Sequence, residues 1–448
     1  MKGAEARKSR GGWPVGALSY ESNQKSYQRS NTHPPAHTSR KRTARDRFSL
    51  TRSKNEPLLP WGSLRGKGDF KHSIKSKITA KIYSKPTTRS QTLKNHFPNS
   101  YTEIDLNTIV TNIDTLKRRL PGKKVLVVVK CDAYRHGAVQ VSKHVEEHVD
   151  WLAVASVDEA IQLRMGRVKK PILVFGVPRY ETAAAYHTHN LTATISHKTH
   201  FDILMDSTRY HLNFDTGMGR LGFAPDEADE VRKLAVANQR LVCSGIYSHF
   251  ATADDPGSDQ AIQQHKRFKE IITRFDEVPL KHMSNTGASA NYDFDHFDMF
   301  RTGLGMLGYN SGHTRYNWLK PAMTWKSRLA QVRTVKKGAT VSYSATWTCP
   351  EDGYLATIPV GYGDGIPRTL SNKLQVLING KLYPQVGNVT MDYIMVYLKG
   401  DKLAPESEVT LLGGAAWNAQ DWAEHAGTNV HEILTNLTPR VEKSYTNY

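Results

Sequence analysis

The sequence predicts an α/β protein, a (β/α)8 TIM-like barrel followed by a mostly β carboxyl-terminal domain. Between about residues 99 and 322, short apolar runs alternate with helically spaced segments in a regular beat. After about Ala322 the helical spacing gives way to strand patterns. The phosphate fingerprint of the competing open doubly wound sheet, G-x-G-x-x-G after the first strand, is missing. These observations divide the chain into a basic extension (1–98), a barrel (99–322) and a β domain (323–448).

The extension is rich in Ser, Thr, Arg, Lys and Asn and has no apolar periodicity. Such a composition buries too little surface to offset its chain entropy, so disorder is expected. The formal net charge of +19 belongs to it: the first 100 residues hold 22 Lys+Arg against 5 Asp+Glu, and the rest hold 39 against 37. A nucleic-acid partner is therefore not expected for the body, only conceivable for the extension. The segment lacks the apolar stretch of a secretory signal. Its Arg- and Ser-rich, acid-poor character leaves organellar targeting open beside a cytoplasmic location. No apolar run reaches the roughly 18 residues of a membrane span. Three widely spaced cysteines (Cys131, Cys243, Cys349) fit a reducing compartment, with neither a disulfide framework nor a metal site expected.

In the body, residues 101–106 read as a short strand. Residues 107–120 read as a helix with Ile109, Ile113, Leu116 and Leu120 on one face. The run from Val125 to Val129 then enters Lys130; five apolar residues, four of them β-branched, read as a strand buried on both faces. Further strands are expected at 150–156, 171–176, 192–196, 210–215, 241–248, 282–285 and 299–301. Helices at 136–148, 157–167, 181–188, 199–205, 225–237 and 258–275 alternate with them. Beyond residue 322, strands are expected at 335–341, 354–360 and 389–398, a hairpin about Asn379-Gly380, and helices at 419–426 and 430–437.

A barrel gathers its strand ends at one mouth. Here those ends supply Lys130, the 215–220 loop with Arg220, His249, Asn285 and Arg301. A lysine held there can have its pKa lowered and form a Schiff base, although alone it reads equally well as a strand end facing water. Arginine forks match phosphate and carboxylate. Gly217 and Gly219 allow close backbone approach, and Gly303, Gly305 and Gly308 suit a phosphate cradle. Singly, His249 reads as a core histidine and the glycines as turn formers. Together they point to a ligand pair, one phosphorylated and one bearing a carboxylate.

Around these positions the chain resembles the alanine racemase family. Lys130-Cys-Asp-Ala-Tyr134-Arg-His-Gly137 resembles its pyridoxal-phosphate lysine motif. Asp215-Thr-Gly-Met-Gly-Arg220-Leu-Gly222, Arg301-Thr-Gly-Leu-Gly-Met-Leu-Gly-Tyr309, Val341-Ser-Tyr343, Ile358-Pro-Val-Gly-Tyr362 and Val389-Thr-Met391-Asp392 are similar to five more, in order, over roughly three-quarters of the chain.

The resemblance implies pyridoxal 5'-phosphate as cofactor, L- and D-alanine as substrates, a homodimer with shared active sites, and D-alanine supply for peptidoglycan. Lys130 would hold the cofactor as an internal aldimine and serve as one acid/base group. Tyr343, acting on the opposite face in the partner's site, would be the other, since a single base returns the proton to its own side. A phenol is a poor base at its usual pKa of about 10. His249 would hydrogen-bond Tyr343, and Arg301 would stand between His249 and the pyridine nitrogen, keeping that nitrogen unprotonated. Tyr134, Tyr362, Asn285, Thr286 and the backbone at Gly303 and Leu304 would bind the cofactor. Arg220, Met391 and Asp392 would hold the substrate carboxylate.

Two positions depart from the family pattern. Asn213 stands where many members carry a carbamylated lysine that orients the arginine matching Arg220, so Arg220 needs another partner, such as bound chloride. Arg135 stands where the usual form has glycine, which places a charge near the phosphate and removes backbone freedom. Other readings remain. A same-fold amino-acid decarboxylase would want a carboxylate on the pyridine nitrogen and a Gly-Gly-Gly phosphate loop, where this chain has Arg301 and no such triplet. A racemase of broader specificity is open, because serine differs from alanine by one hydroxyl. A non-catalytic pyridoxal-phosphate-binding barrel would have no use for residues 323–448.

Overall fold

In the computed structural model, which describes residues 98–310, 312 and 314–447, eight parallel strands close into a barrel. The extension before Pro98, with the disorder expected for it, lies outside the described residues. The strands are β2 (Lys124–Val128), β3 (Trp151–Val154), β4 (Ile172–Val174), β5 (Thr192–Ile195), β6 (Arg209–Asn213), β7 (Val242–Tyr247), β8 (Lys281–His282) and β9 (Met299–Thr302), which pairs back to β2. The crossovers carry α2 (Ala138–Val145), α3 (Val157–Met165), α4 (Ala183–Thr188), α5 (His200–Ile203), α6 (Ala228–Ala237), α7 (Asp259–Ile272) and α8 (Thr286–Asn291). Ahead of them stand β1 (Ser100–Asp105) and α1 (Leu106–Arg119), capped by Asp105 accepting the Thr108 N–H at 2.9 Å.

The continuous apolar run before Lys130 has a simple cause. Leu126 and Val128 pack inside the barrel with Trp151, Leu173, Tyr247 and Met299. Val125, Val127 and Val129 pack outward, in one core with Ile109, Ile113 and Leu116 of α1. Lys130 keeps the inward parity of Leu126 and Val128, which brings it to the mouth.

The second region is one nine-stranded sheet with two helices. Its members include β10 (Met323–Arg328), β11 (Gln331–Val335), β14 (Gly353–Ile358), β15 (Gln375–Ile378), β16 (Lys381–Val386), β17 (Ile394–Lys399), β18 (Glu408–Leu412) and β19 (Glu442–Thr446), ordered β11-β14-β17-β16-β15-β18-β10-β1-β19. Two short strands, β12 (Thr340–Val341) and β13 (Trp347–Thr348), pair apart from it, and α9 (Ala419–Ala426) and α10 (Val430–Thr435) follow β18. Asn379 and Gly380 both take positive φ, as a two-residue hairpin turn between β15 and β16 demands.

Three expectations shift. The strand at 101–106 joins this sheet, antiparallel to β10 and parallel to β19, and its alternating buried and half-buried residues suit a sheet with one solvated face. The strand expected over 335–341 is broken after Val335 by a turn with Gly338 at φ +84. The helix expected from His136 begins at Ala138, because the chain before it is wound the other way. Cys131, Asp132, Ala133, Tyr134 and Arg135 all have φ between +51° and +69°.

This left-handed turn ends at Gly137, φ +89, where a Cβ would lie 1.8 Å from the Tyr445 hydroxyl of β19. Gly137→Ala should therefore destabilise the protein by about 2 kcal/mol or more. Gly122→Ala is the control, since Gly122 also has positive φ (+78) but open space around it. Denaturant melts of the two should differ clearly; equal loss would contradict the Tyr445 contact.

Candidate active site

The barrel mouth encloses a cavity of about 920 Å³. Lys130 and Tyr134 reach it from the turn after β2, Arg220 from the loop after β6, His249 from beyond β7, and Arg301 and Gly303 from β9 and its end. Asn285, Thr286 and Leu304 line it as well. Burial, and then the nearby Arg220 guanidinium, draw the Lys130 amine below the usual lysine range.

The left-handed turn is strained, and identifiable groups hold it. Glu159 of α3 accepts the Cys131 N–H at 2.6 Å and, as the far half of a capping box, the Ala155 and Ser156 N–H groups at 2.7 and 3.2 Å. Asp132 accepts the Ala138 N–H at 2.8 Å and pairs with Lys443 of β19 at 3.0 Å. Arg135 is not among the residues that line the cavity. Its Nε donates to the Leu437 carbonyl at 2.5 Å, and its backbone accepts φ +69 where glycine would be relaxed.

Arg301 is 3% exposed. Its Nη2 donates to His249 Nδ1 at 2.8 Å and to the carbonyls of Ser248 and Met283 at 2.9 and 3.0 Å. Its Nη1 donates to His282 Nδ1 at 2.9 Å, and the guanidinium carbon lies 5.5 Å from the Tyr247 ring centroid. Among the described residues no carboxylate pairs with it. Burial brings its pKa down to about 10, which leaves it cationic at neutral pH. A guanidinium only donates, so His249 Nδ1 must accept and the ring's proton sits on Nε2. Burial, followed by Arg301, Arg220 and Lys130, holds His249 well below the usual histidine range, so the ring is neutral.

At the other side of the mouth the polar groups are uncharged. A Cβ on Gly303 would lie 2.4 Å from the Tyr134 hydroxyl, so glycine is what lets that phenol meet the backbone. Tyr134 is buried, and burial raises its pKa. Thr286 Oγ1 lies 3.2 Å from Thr302 Oγ1, while the Asn285 side chain is committed to capping α8 through the Ala288 N–H at 2.9 Å.

Arg220 sits on a loop organised by Asp215, whose carboxylate accepts the N–H groups of Gly217, Met218 and Arg220 at 2.9, 2.7 and 3.1 Å. Burial alone would raise the Asp215 pKa, but these amides together pull it below the usual carboxylate range. Asn213 is buried and donates from Nδ2 to the Leu221 carbonyl at 2.9 Å, so it braces the same loop from beneath.

Four expected site residues are not brought to this cavity within one chain. Tyr343 is 72% exposed on the second region, flanked by Ser342, Ser344 and Ala345, all at positive φ. Tyr362 and Met391 are exposed too, and Asp392 pairs with Arg440 at 2.9 Å. Their loops interlock. Asn388 Nδ2 donates to the Tyr343 carbonyl at 2.8 Å, Tyr362 N–H to the Thr390 carbonyl at 3.0 Å and Gly363 N–H to the Met391 carbonyl at 2.9 Å. Non-glycine residues held at positive φ cost on the order of 1–3 kcal/mol each, and such strain clusters at functional sites.

Next to Tyr134 stands His431 of α10, its ring centroid 5.7 Å from that of Tyr134. Burial, then Lys130, push it down to about 4. Sequence reasoning missed His431 and Glu159. The capping pattern Ser156-Val-Asp-Glu159 was visible, but nothing local said that Glu159 also reaches the lysine turn. Val430, Ile433 and Leu434 mark the core face of α10 and so leave His431 off it, without saying what it meets.

Two family models match the chain: alanine racemase, N-terminal domain, over residues 104–311, and alanine racemase, C-terminal domain, over residues 322–445. The alanine racemase of Symbiobacterium thermophilum is 34% identical over 370 residues, covering 77% of this chain and 97% of that relative. Alanine racemase 2 of Bacillus subtilis is 36% identical over 368 residues, covering 77% and 93%. Among solved structures, the alanine racemase from D-cycloserine producing Streptomyces lavendulae is similar with a TM-score of 0.73 at 31% identity, covering 79% of this chain and 98% of that one.

The Asp215 bracket makes a prediction of its own. Because its folded-state pKa is lowered, its contribution to loop order is present above the usual carboxylate range and lost as pH falls through the lowered value. Asp215→Asn should speed hydrogen exchange at Gly217, Met218 and Arg220 about tenfold at neutral pH, as loss of a charged acceptor implies. Unchanged exchange there would contradict the role.

Proposed function

The chain belongs to the alanine racemase family, and we infer that it is itself an alanine racemase, an isomerase interconverting L- and D-alanine with pyridoxal 5'-phosphate at the barrel mouth. The observation that carries this is Arg301 facing the same cavity as Lys130 with no carboxylate beside it among the described residues. A decarboxylase of this architecture would need an acid there.

The residues present fit that cofactor. The cavity volume suits a cofactor and a small substrate together. Its donor set is a depressed lysine, two arginines, a phenol and hydroxyls gathered at Gly303. Lys130 would hold the cofactor covalently, Tyr134, Thr286, His431 and the backbone at Gly303 and Leu304 its phosphate, and Arg301 its ring nitrogen. When bound, pyridoxal phosphate supplies the electron sink that loosens the Cα proton of alanine.

The chain's own groups then move that proton. Lys130, with more neutral amine than an ordinary lysine, takes or returns it on one face. Tyr343 of a second copy serves the other face, which gives its strained, exposed loop a purpose. His249 Nε2–H donates to the phenolic oxygen and so orients it toward the substrate. Arg301, a buried cation facing the cavity, would disfavour protonation of the cofactor's ring nitrogen and so confine the chemistry to proton transfer. Arg220, with Met391 and Asp392 of the second copy, holds the substrate carboxylate. A homodimer with shared sites, a cytoplasmic location and D-alanine supply for peptidoglycan complete the reading. No helix among the described residues is long and apolar enough to cross a membrane.

The test is incubation of the protein with pyridoxal phosphate and L-alanine in deuterated water, followed by chiral chromatography with mass detection. D-alanine carrying deuterium at Cα is expected, and Lys130→Ala should lose about a thousandfold or more. Bound cofactor without exchange would refute the reading.

A further inference from the structure

Two buried histidines stand behind the site without touching the cavity: His282 of β8 and His211 of β6, both 0% exposed. We propose that His282 and His211 are positioning residues, a directional hydrogen-bond chain that fixes the Arg301 guanidinium and, through it, the outward N–H of His249.

The direction follows from one fact, that a guanidinium has donors and no acceptor. Arg301 Nη1 lies 2.9 Å from His282 Nδ1, so that nitrogen accepts and the ring's proton is on Nε2. His282 Nε2 lies 2.9 Å from His211 Nδ1, so it donates, and the His211 proton is on its own Nε2. The chain ends there. His211 Nε2 has no partner among the described residues, and a Cβ on Gly245 would lie 2.6 Å from it. A third ring, His249, is set in the same sense by Arg301 Nη2. One guanidinium thus determines the tautomer of three imidazoles.

The rings are also held in place. Tyr247 stacks on His282 at 5.0 Å and 12° between planes, and Trp151 lies 5.1 Å from His211. Thr194 Oγ1 donates to the Val174 carbonyl at 2.7 Å, so the Tyr247 hydroxyl must donate to Thr194 at 3.1 Å, which fixes its ring too. A proton added to His282 or His211 would set two donors face to face beside a buried cation. Burial opposes it in both rings, and Arg301 adds to that. What the reaction draws from His282 is therefore an acceptor of fixed direction. Without it, Nη1 would be a buried unpaired donor and the guanidinium free to turn from the ring nitrogen and from His249.

The functional consequence rests on the racemase reading; the tautomers do not, and the first measurement keeps the two apart. Nitrogen-15 spectra of histidine-labelled holoenzyme near neutral pH, assigned by single substitutions, should show His211, His249 and His282 neutral with the proton on Nε2. A cationic ring or an Nδ1-protonated one would overturn the proposal even in a fully active enzyme. For turnover, H282N places an amide oxygen where Nδ1 accepts, and H282L places none. The leucine variant should lose about ten- to a hundredfold more than the asparagine variant, the cost of one unpaired buried donor. With it should go a shift in the bound cofactor's absorption and a displaced His249 resonance. Equal loss in both variants would overturn the proposal, and if H282L does not fold, the wild-type spectra decide alone.

Discussion

A buried cation with no anion beside it among the described residues is the condition that the rest of this structure satisfies. Taking a guanidinium out of water costs several kcal/mol after relaxation, and a carboxylate is the usual remedy. Arg301 instead receives two imidazole nitrogens, two backbone carbonyls and the face of Tyr247. Each partner is neutral, so the positive field is shared without being cancelled. Three adjacent barrel strands are needed to assemble it: Ser248 and His249 follow β7, His282 and Met283 lie on and after β8, and Arg301 is on β9. A parallel barrel sets such strand ends side by side, a few ångströms apart.

Across the mouth the expense is conformational. Five consecutive non-glycine residues wind left-handed after Lys130, each at about 1–2 kcal/mol. Glu159, the Asp132–Lys443 pair and the Arg135–Leu437 bond offset part of this and tie the turn to α3 and to the second region. Lys130 is thus aimed by groups from both regions, so the β domain supports the barrel's own cavity even before a second copy is considered. The Arg135 side chain, unexpected in this place, is part of that tie.

Much of this was legible in the sequence, for reasons that differ by residue. The barrel was readable because apolar runs such as Val125 to Val129 need cover on both faces. Lys130, His249 and Arg301 were readable because each sits at or just past the end of a strand, where parity and topology together say which way it points, and Arg220 because its glycine-bearing loop follows β6. The resemblance to a known family then attached roles. What escaped depends on tertiary contact: His431 and Glu159 lie on helices whose sequence fixes a face but not a neighbour. The strand at 101–106 was legible as a strand, but its partners, β10 and β19, are hundreds of residues away. The left-handed turn was hidden because Ala133 and Tyr134 carry no preference for positive φ; only Gly137 hinted at it.

In the proposed reaction the barrel supplies one face and a second copy's Tyr343 the other, so that neither chain is complete alone. The most direct test mixes two impaired homodimers, Lys130→Ala and Tyr343→Phe, under conditions that let subunits exchange. In a hybrid one site lacks both groups and the other retains both. Activity should therefore rise on mixing toward about a quarter of the wild-type level, as random pairing of two subunits requires. No recovery after proven exchange would contradict the shared site and return the second acid/base group to within a single chain.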